Sequence, residues 1–433
     1  MDVYNIVSFL GLFVLIGIAW LLSNNRKAFN WRVVAWGVGI QFVLGGMVFL
    51  FPNSNLVFKW LNDAVVKVLD SAMAGTRFLF GNLATADPNA NPLGFILAFQ
   101  GLPAIVFFSA LMAILYYYRV MPLIIRGFAN LFTRLMRISG AESLCAASNI
   151  FVGIESALTV RPYLLHMTRS EFCTVLTAGM ATVASNVLVV YVSFLYDMFP
   201  TIAGHLISAS ILSAPAAVVM SKILYPETEH PKTLGLRIEP HYDKEPDVFT
   251  AIINGANAGI KLIAGIAAML LAVLGLVALV DMILGVFGSG INALFDVNVT
   301  WTLKTMLGYL FYPFTLIIGI PLSDAGIISQ IIGERAIVTE LVAYQDLAVA
   351  IKDNLLHHPR SAVVTTYALC GFAHVASIAI FVGGVAALVP ERTRDVARSG
   401  LRALLAATFA CLMTACIAGT FFNDSMSTIL LGK

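Results

Sequence analysis

Residues 179–185 read Gly-Met-Ala-Thr-Val-Ala-Ser, and residues 371–377 read Gly-Phe-Ala-His-Val-Ala-Ser. Five of the seven positions are identical. Each copy lies inside an apolar run, follows an apolar segment broken by polar residues, and precedes another apolar run. One copy alone is ordinary small-residue helix packing. Two copies at corresponding positions predict an internal repeat. The broken segments are residues 138–168, with Asn149, Gly153, Glu155, Arg161 and Pro162, and residues 303–345, with Pro313, Gly319, Pro321, Asp324, Gly333, Glu334, Arg335 and Glu340. Each is too polar in its middle to cross a bilayer facing lipid, yet long enough to dip in and return. Broken backbone at membrane depth is tolerated only where protein buries it or a wet cavity adjoins it. Both segments are therefore expected to be re-entrant hairpins. Three apolar runs separate them, so the second unit enters from the opposite side. Inverted repeats of this kind bind substrate near the midplane, where the two units meet.

The rest of the chain fits a membrane. Hydrophobic residues make up 59% and charged residues only 12%, about half the share a soluble surface needs. A net charge of +2 offers no broad field for nucleic acid. Cys145, Cys173, Cys370, Cys411 and Cys416 are scattered in apolar runs and read as small buried hydrophobes. Crossing the hydrocarbon core takes about 20 apolar residues. Eight spans qualify, at 4–23, 33–51, 97–118, 172–197, 203–224, 254–287, 362–387 and 400–422. The first has no basic residue before it and Arg26, Lys27 and Arg32 after it, so it reads as a retained helix with its N-terminus outside. The basic connections 24–32, 119–137, 225–249 and 391–402 then all fall on the cytoplasmic side, and the C-terminus lies outside. Residues 62–82 mix apolar side chains with Asp63, Lys67, Asp70 and Arg77, which suits an amphipathic helix at the outer interface. The fold class is thus an all-α polytopic membrane protein with eight transmembrane helices, an interfacial helix and two re-entrant hairpins in an inverted repeat. Residues 1–137 form a scaffold, 138–224 a first transport repeat, 225–301 a loop and long scaffold helix, and 302–433 a second transport repeat.

Glu155 and Glu340 are the most informative side chains. A carboxylate at membrane depth costs several kcal/mol and rarely stands without a partner or a role. Two of them at a solvated midplane can accept hydrogen bonds from a polyhydroxylated or base-bearing solute. The bland alternative is that each pairs with a neighbouring arginine, Arg161 or Arg335. Asn149, Ser185 and Asn186 are neutral oxygen carriers near the first hairpin. With carbonyls from unwound backbone they can coordinate sodium, although Ser and Asn also serve as interhelical glue. His374 and Ser377 lie in the second copy of the repeat. A lone histidine in an apolar stretch is usually a packing residue, but its place in the repeat makes it a candidate ligand. His357 and His358 sit in a polar outer loop without a third ligand and read as bland. No P-loop, HExxH or GxSxG motif stands at a suitable place, and no nucleophile has a base in reach. Nothing therefore argues for an enzyme or a cofactor.

Five segments together resemble the concentrative nucleoside transporters over nearly the whole chain. They are 149–162 (NIFVGIESALTVRP), 176–192 (LTAGMATVASNVLVVYV), 211–229, 333–347 (GERAIVTELVAYQDL) and 367–377 (YALCGFAHVAS). The resemblance implies a homotrimer in the cell inner membrane that imports nucleosides with sodium or protons by an elevator-like displacement. It implies that Glu155 is a base-binding carboxylate, Glu340 a ribose-binding carboxylate, and Phe372 and Ser377 residues around the ribose. It puts Val190 against the base. It puts Asn149, Val152, Ser185, Asn186 and Val189 at sodium-ligand positions, Val152 and Val189 through their carbonyls.

Three departures from the family pattern stand out. The first hairpin is one residue shorter and lacks the family's Gln and Pro, so Ile154 stands where an amide would read the base edge. His374 replaces a family Asn, and imidazole differs from an amide in reach and charge state. Asn186 replaces a family Ser. Removing a hydrogen-bonding group from a pocket shifts discrimination by large factors. The altered pocket keeps open a same-fold transporter of another small polar solute. A non-transporting scaffold is disfavoured, since it has no reason to bury two carboxylates.

Overall fold

Uninterrupted apolar runs give the long helices, and polar or proline breaks divide the rest. The computed structural model describes residues 2–50, 54–85, 93–242, 244–296 and 299–423, without the side chains of 54–59, 61 and 154. Among these residues helices account for the regular structure, and the one β contact is an isolated bridge between Ser139 and Leu234. The chain opens with α1 (Val3–Leu21), α2 (Trp31–Phe49) and the amphipathic α3 (Ser54–Phe80). Pro103, which has no backbone N–H to donate, divides the next run into α4 (Leu97–Gln100) and α5 (Ala104–Tyr117). The basic stretch 119–137, read above as a connection, is itself a helix, α6 (Val120–Met136). Arg119 and Arg137 bound it in the left-handed region, with φ of 59° and 52°. Ile125, Phe132 and Met136 bury its apolar face.

The first unit continues with α7 (Gly140–Asn149), a 3₁₀ stretch (Ile154–His166), α8 (Arg169–Ala181), α9 (Ser185–Leu195) and α10 (Ile202–Leu224). Capping boxes start two of these helices: Ser139 with Glu142, and Thr168 with Glu171. Pro162 sits inside the 3₁₀ stretch, where a regular α-helix would lose a backbone hydrogen bond. The run 172–197 is not one helix. It breaks at residues 182–184, within the repeated motif.

A single helix, α11 (Val248–Phe295), joins the two units, and it exceeds the expected 254–287 at both ends. Asp247 caps its start by accepting from the backbone of Phe249 and Thr250, each at 2.9 Å. It packs on α5 through Gly255 and Gly259, where a Cβ would come within 2.8 Å of α5 backbone atoms.

The second unit is α12 (Leu303–Ile317), α13 (Leu322–Ile337), α14 (Glu340–Lys352), α15 (Pro359–Leu369), α16 (Val375–Leu388) and α17 (Thr393–Phe421). Its order of elements parallels that from α6 to α10. The polar segment 303–345 does not act as one unit. Gly319, with φ of 82°, and Pro321 set α12 apart, and the helix–break–helix is α13 with α14. Run 362–387 is also divided, at residues 370–374 between α15 and α16. Seven helical stretches among the described residues are long and apolar enough to cross a membrane, and the expected span at 362–387 is not among them, its apolar helix α16 being shorter. His357 and His358 latch the base of α13. Asp324 Oδ1 accepts from the His357 backbone at 3.0 Å, and Oδ2 from that of His358 at 3.1 Å and the Ser361 hydroxyl at 2.6 Å.

Main-chain contacts join the breaks of the two units. Gly371 has φ of 147°, and a Cβ there would lie 2.8 Å from the backbone of Ala181 and from Cys411 Sγ. Gly179 faces the ring of Phe381 in the same way, at 2.3 Å from the position of a Cβ. Ser185 N–H donates to the Phe151 carbonyl at 3.0 Å, tying the α8–α9 break to the turn after α7. Ser210 on α10 donates to the carbonyls of both Ile150 and Val183, at 3.0 and 3.2 Å.

Candidate functional site

Where those breaks converge, a narrow cavity of about 90 Å³ opens. Glu155, Asn186, Glu340, Phe372, His374 and Ser377 all line it. Both candidate carboxylates therefore face one space, Glu155 from the first unit and Glu340 from the second. Neither is paired with an arginine among the described residues. Arg335 instead donates from Nη1 to the Ala368 carbonyl at 2.8 Å. The two acids differ in environment. Glu155 is exposed, whereas Glu340 is only 1% exposed.

Glu340 is held from two sides. The Tyr191 hydroxyl, on α9, donates to its Oε1 at 2.8 Å. His374 Nε2 lies 3.2 Å from its Oε2, and Ser377 Oγ lies 2.8 Å from the same ring nitrogen. His374 Nδ1 has no partner among the described residues, although the side chain is 1% exposed. A buried polar atom left unpaired in a native fold calls for an explanation, and a ligand group is one. Tyr191 is itself fixed by stacking on Tyr344, with ring centroids 4.6 Å apart at 27°. The Tyr344 hydroxyl donates to the Thr366 carbonyl at 2.9 Å. This relay crosses from one unit to the other.

Asn149 ends α7 and Val152 lies in the turn after it, whereas Ser185, Asn186 and Val189 lie in the first turns of α9, beyond the α8–α9 break. Asn149 is fully buried, and its Nδ2 donates to the Cys145 carbonyl at 3.0 Å, which leaves Oδ1 without a partner. Asn186 donates weakly to Ser109 Oγ at 3.4 Å, and its Oδ1 is also unpartnered. Neutral amide oxygens of this kind are ligand donors that a monovalent cation accepts. Val152 lines a second, adjoining cavity, and Val189 packs its side chain on Ala72, Ala104 and Phe108. Val190 is buried with its side chain toward Gly101, outside the cavity lining, where Val187 stands instead. The backbone of Ile154 begins the 3₁₀ stretch, but its side chain lies outside the described residues.

Two contributions were not visible in the sequence. Leu262, Ile266 and Met269 of α11 make an apolar wall of the cavity. Tyr191 lies in the uniform run Val-Leu-Val-Val-Tyr-Val, where nothing marks it as a partner of a residue 149 positions away.

Comparison with known proteins agrees along the whole chain. Residues 10–83 match the family profile described as Na+ dependent nucleoside transporter N-terminus, residues 98–198 the profile described as nucleoside recognition, and residues 205–419 the Na+ dependent nucleoside transporter C-terminus. The nucleoside permease NupC of Helicobacter pylori is 37% identical over 97% of this chain and 98% of its own length. An uncharacterized transporter of Haemophilus influenzae is 38% identical over 96% of this chain and 97% of its own length. Solute carrier family 28 member 3 of Mus musculus is 38% identical over 96% of this chain, which spans 58% of that longer protein. CNTnw in an inward-facing substrate-bound state is 38% identical and matches with a TM-score of 0.87, over 96% of this chain and 98% of that one. A CNTnw variant in an outward-facing state is 37% identical and matches at 0.88, over the same shares. With its fold, its paired carboxylates and these relatives in agreement, the chain belongs to the Na+-dependent, concentrative nucleoside transporter family.

Proposed function

We propose that this protein is a secondary active transporter that imports nucleosides or close analogues on a sodium gradient, with protons as the alternative coupling ion. The observation that carries this reading is that Glu155 and Glu340, from different units, line one cavity without an arginine partner. Glu340 Oε2 and His374 Nδ1 offer an acceptor and a second polar contact for sugar hydroxyls, and the Phe372 ring closes one side. Glu155, wet and opposite, takes the base. Sodium is held by the oxygens of Asn149, Ser185 and Asn186 with the carbonyls of Val152 and Val189. Bound there, the ion draws the first hairpin onto the α8–α9 break and so shapes the pocket the guest enters. In the bilayer the chain makes eight crossings with both termini outside, the α15–α16 pair among them. The α7 and α13–α14 segments are re-entrant hairpins of an inverted repeat. The largely exposed sides of α11 face lipid or neighbouring protomers. A homotrimer in a bacterial inner membrane moves its guest by an elevator-like displacement.

The decisive test is uptake by proteoliposomes given a nucleoside panel under separate sodium and proton gradients. Accumulation of at least one nucleoside that stops when the sodium gradient is collapsed is the expected result. A panel in which no nucleoside accumulates under either gradient overturns the reading.

A second reading, a different small polar solute on the same fold, is favoured by Ile154 and by the Glu340–His374 contact. Ile154→Gln restores an amide at the hairpin tip and is expected to change relative uptake across the panel by about tenfold or more. An unchanged panel would show that this position does not read the guest.

Tyr191 is assigned the role of positioning Glu340. Tyr191→Phe removes a hydrogen bond to a charged group, worth about 1.5–3 kcal/mol, and leaves Oε1 buried without a donor. The expected result is a rise in KM for uptake of about tenfold or more with protein yield unchanged. A wild-type KM would mean that the phenol only packs.

A further inference from the structure

Three cavities lie in file between Glu340 and the 225–249 connection. The first holds the two carboxylates. The second, wider at about 350 Å³, shares Glu155 and Asn186 with it. The third shares Ala113, Tyr116, Tyr242 and Glu245 with the second and reaches Arg119 and Lys244. Glu155 and Asn186 thus stand in the doorway between a narrow chamber and a broader one.

The second chamber is built differently from a plain water channel. Aromatic rings reach it from three separate elements: Tyr116 on α5, Phe151 at the first hairpin's break, and Tyr242 on the connection. Polar groups stand among them. Glu155 and Arg161 both line it, and neither is in an ion pair among the described residues. The stretch that carries Tyr242 is tied down on both sides. His241 N–H donates to the Thr159 carbonyl at 2.9 Å, and Asn254 donates to Glu245 Oε1 at 3.0 Å. Arg126 pairs with Glu239 at 3.2 Å. Rings on a tethered backbone, beside an acid and a guanidinium without an ion-pair partner among the described residues, suit a planar, hydrogen-bonding heterocycle better than they suit water.

We propose that this second chamber is a holding subsite for the nucleoside-type guest, in which the base rests on Tyr242 after Glu155 releases it from the central cavity. The proposal rests on the transport reading given above and adds a stop on the route. The subsite serves only the face of the protein that carries the connection. A guest arriving from the opposite face meets the central cavity first.

The test uses full-length protein in proteoliposomes of known orientation and the best-transported radiolabelled nucleoside of the panel, with KM measured from each face. Tyr242→Ala is expected to raise KM about fivefold from the connection face and to leave KM from the other face within about twofold. Tyr242→Phe keeps the ring and is expected to behave as wild type. Tyr242→Leu keeps bulk without an aromatic face, is expected to match the alanine variant, and serves in its place should that variant fold poorly. Equal change from both faces, no change from either, or wild-type behaviour of the leucine variant overturns the subsite while transport itself continues. Absence of any nucleoside transport by the unaltered protein overturns the underlying reading instead.

Discussion

Glu340→Gln is expected to reduce nucleoside uptake by about 100-fold or more while the protein folds and purifies at its usual yield. The argument is local. The carboxylate is 1% exposed and sits between the Tyr191 hydroxyl at 2.8 Å and His374 Nε2 at 3.2 Å. Glutamine keeps the size of the side chain and an oxygen for Tyr191, so packing survives. It replaces the other oxygen with an N–H₂, which turns an acceptor into a donor at the buried atom beside His374 Nε2. A hydrogen bond to a charged group contributes about 1.5–3 kcal/mol, and an unmatched donor in a buried pocket adds a penalty of about 1–3 kcal/mol. Together these amount to about 2.5–6 kcal/mol, a range that starts near the roughly 2.7 kcal/mol corresponding to 100-fold. Uptake by proteoliposomes, with size-exclusion profiles as the folding control, measures it. Wild-type uptake by this variant would remove Glu340 from the site.

Gly371→Ala is expected to damage the fold rather than the chemistry. Its φ of 147° is a backbone conformation that side chains with L chirality rarely adopt. The added methyl would also meet the main chain of Ala181 at 2.8 Å and Cys411 Sγ at 2.8 Å. Backbone strain of about 1–3 kcal/mol and overpacking of about 1–3 kcal/mol act together here, and a typical fold has a net stability of only about 5–15 kcal/mol. Thermal unfolding in detergent should show a marked drop in midpoint, or no folded peak at all. Gly275→Ala is the control, since a Cβ there meets nothing within 4 Å and alanine favours helix. If both variants unfold at the same temperature, the contact between the two breaks does not hold the fold.

Much of the plan was legible because polar residues in apolar runs are conspicuous. Glu155 and Glu340 stood out on burial cost alone, and the repeated Gly-x-Ala-x-Val-Ala-Ser drew attention to the right places, although the runs around it were read as single spans and the structure breaks them at 182–184 and 370–374. Less was legible where the sequence is uniformly apolar or where backbone direction decides. The split of α12 from α13 depends on Gly319 and Pro321, which were read as polar interruptions of one hairpin. Helix α6 was hidden by its arginines, which were read as marking a cytoplasmic connection but say nothing against a helix. The wall from α11 and the hydroxyl of Tyr191 depend on tertiary neighbours far along the chain. Asn149 and Asn186 could be named as oxygen carriers, but only the structure shows which of their oxygens lacks a partner.

The seam between Gly371 and Ala181 is made of main chain, and this bears on how the architecture varies. Side chains proposed to read the cargo, such as that of His374, are not among the atoms that meet Gly371. They can be exchanged over evolutionary time without loosening the frame that presents them. Under the proposed function, shifts in preference from one metabolite to another require few compensating changes, and position 374, whose imidazole lies against Glu340, is where one is expected to act.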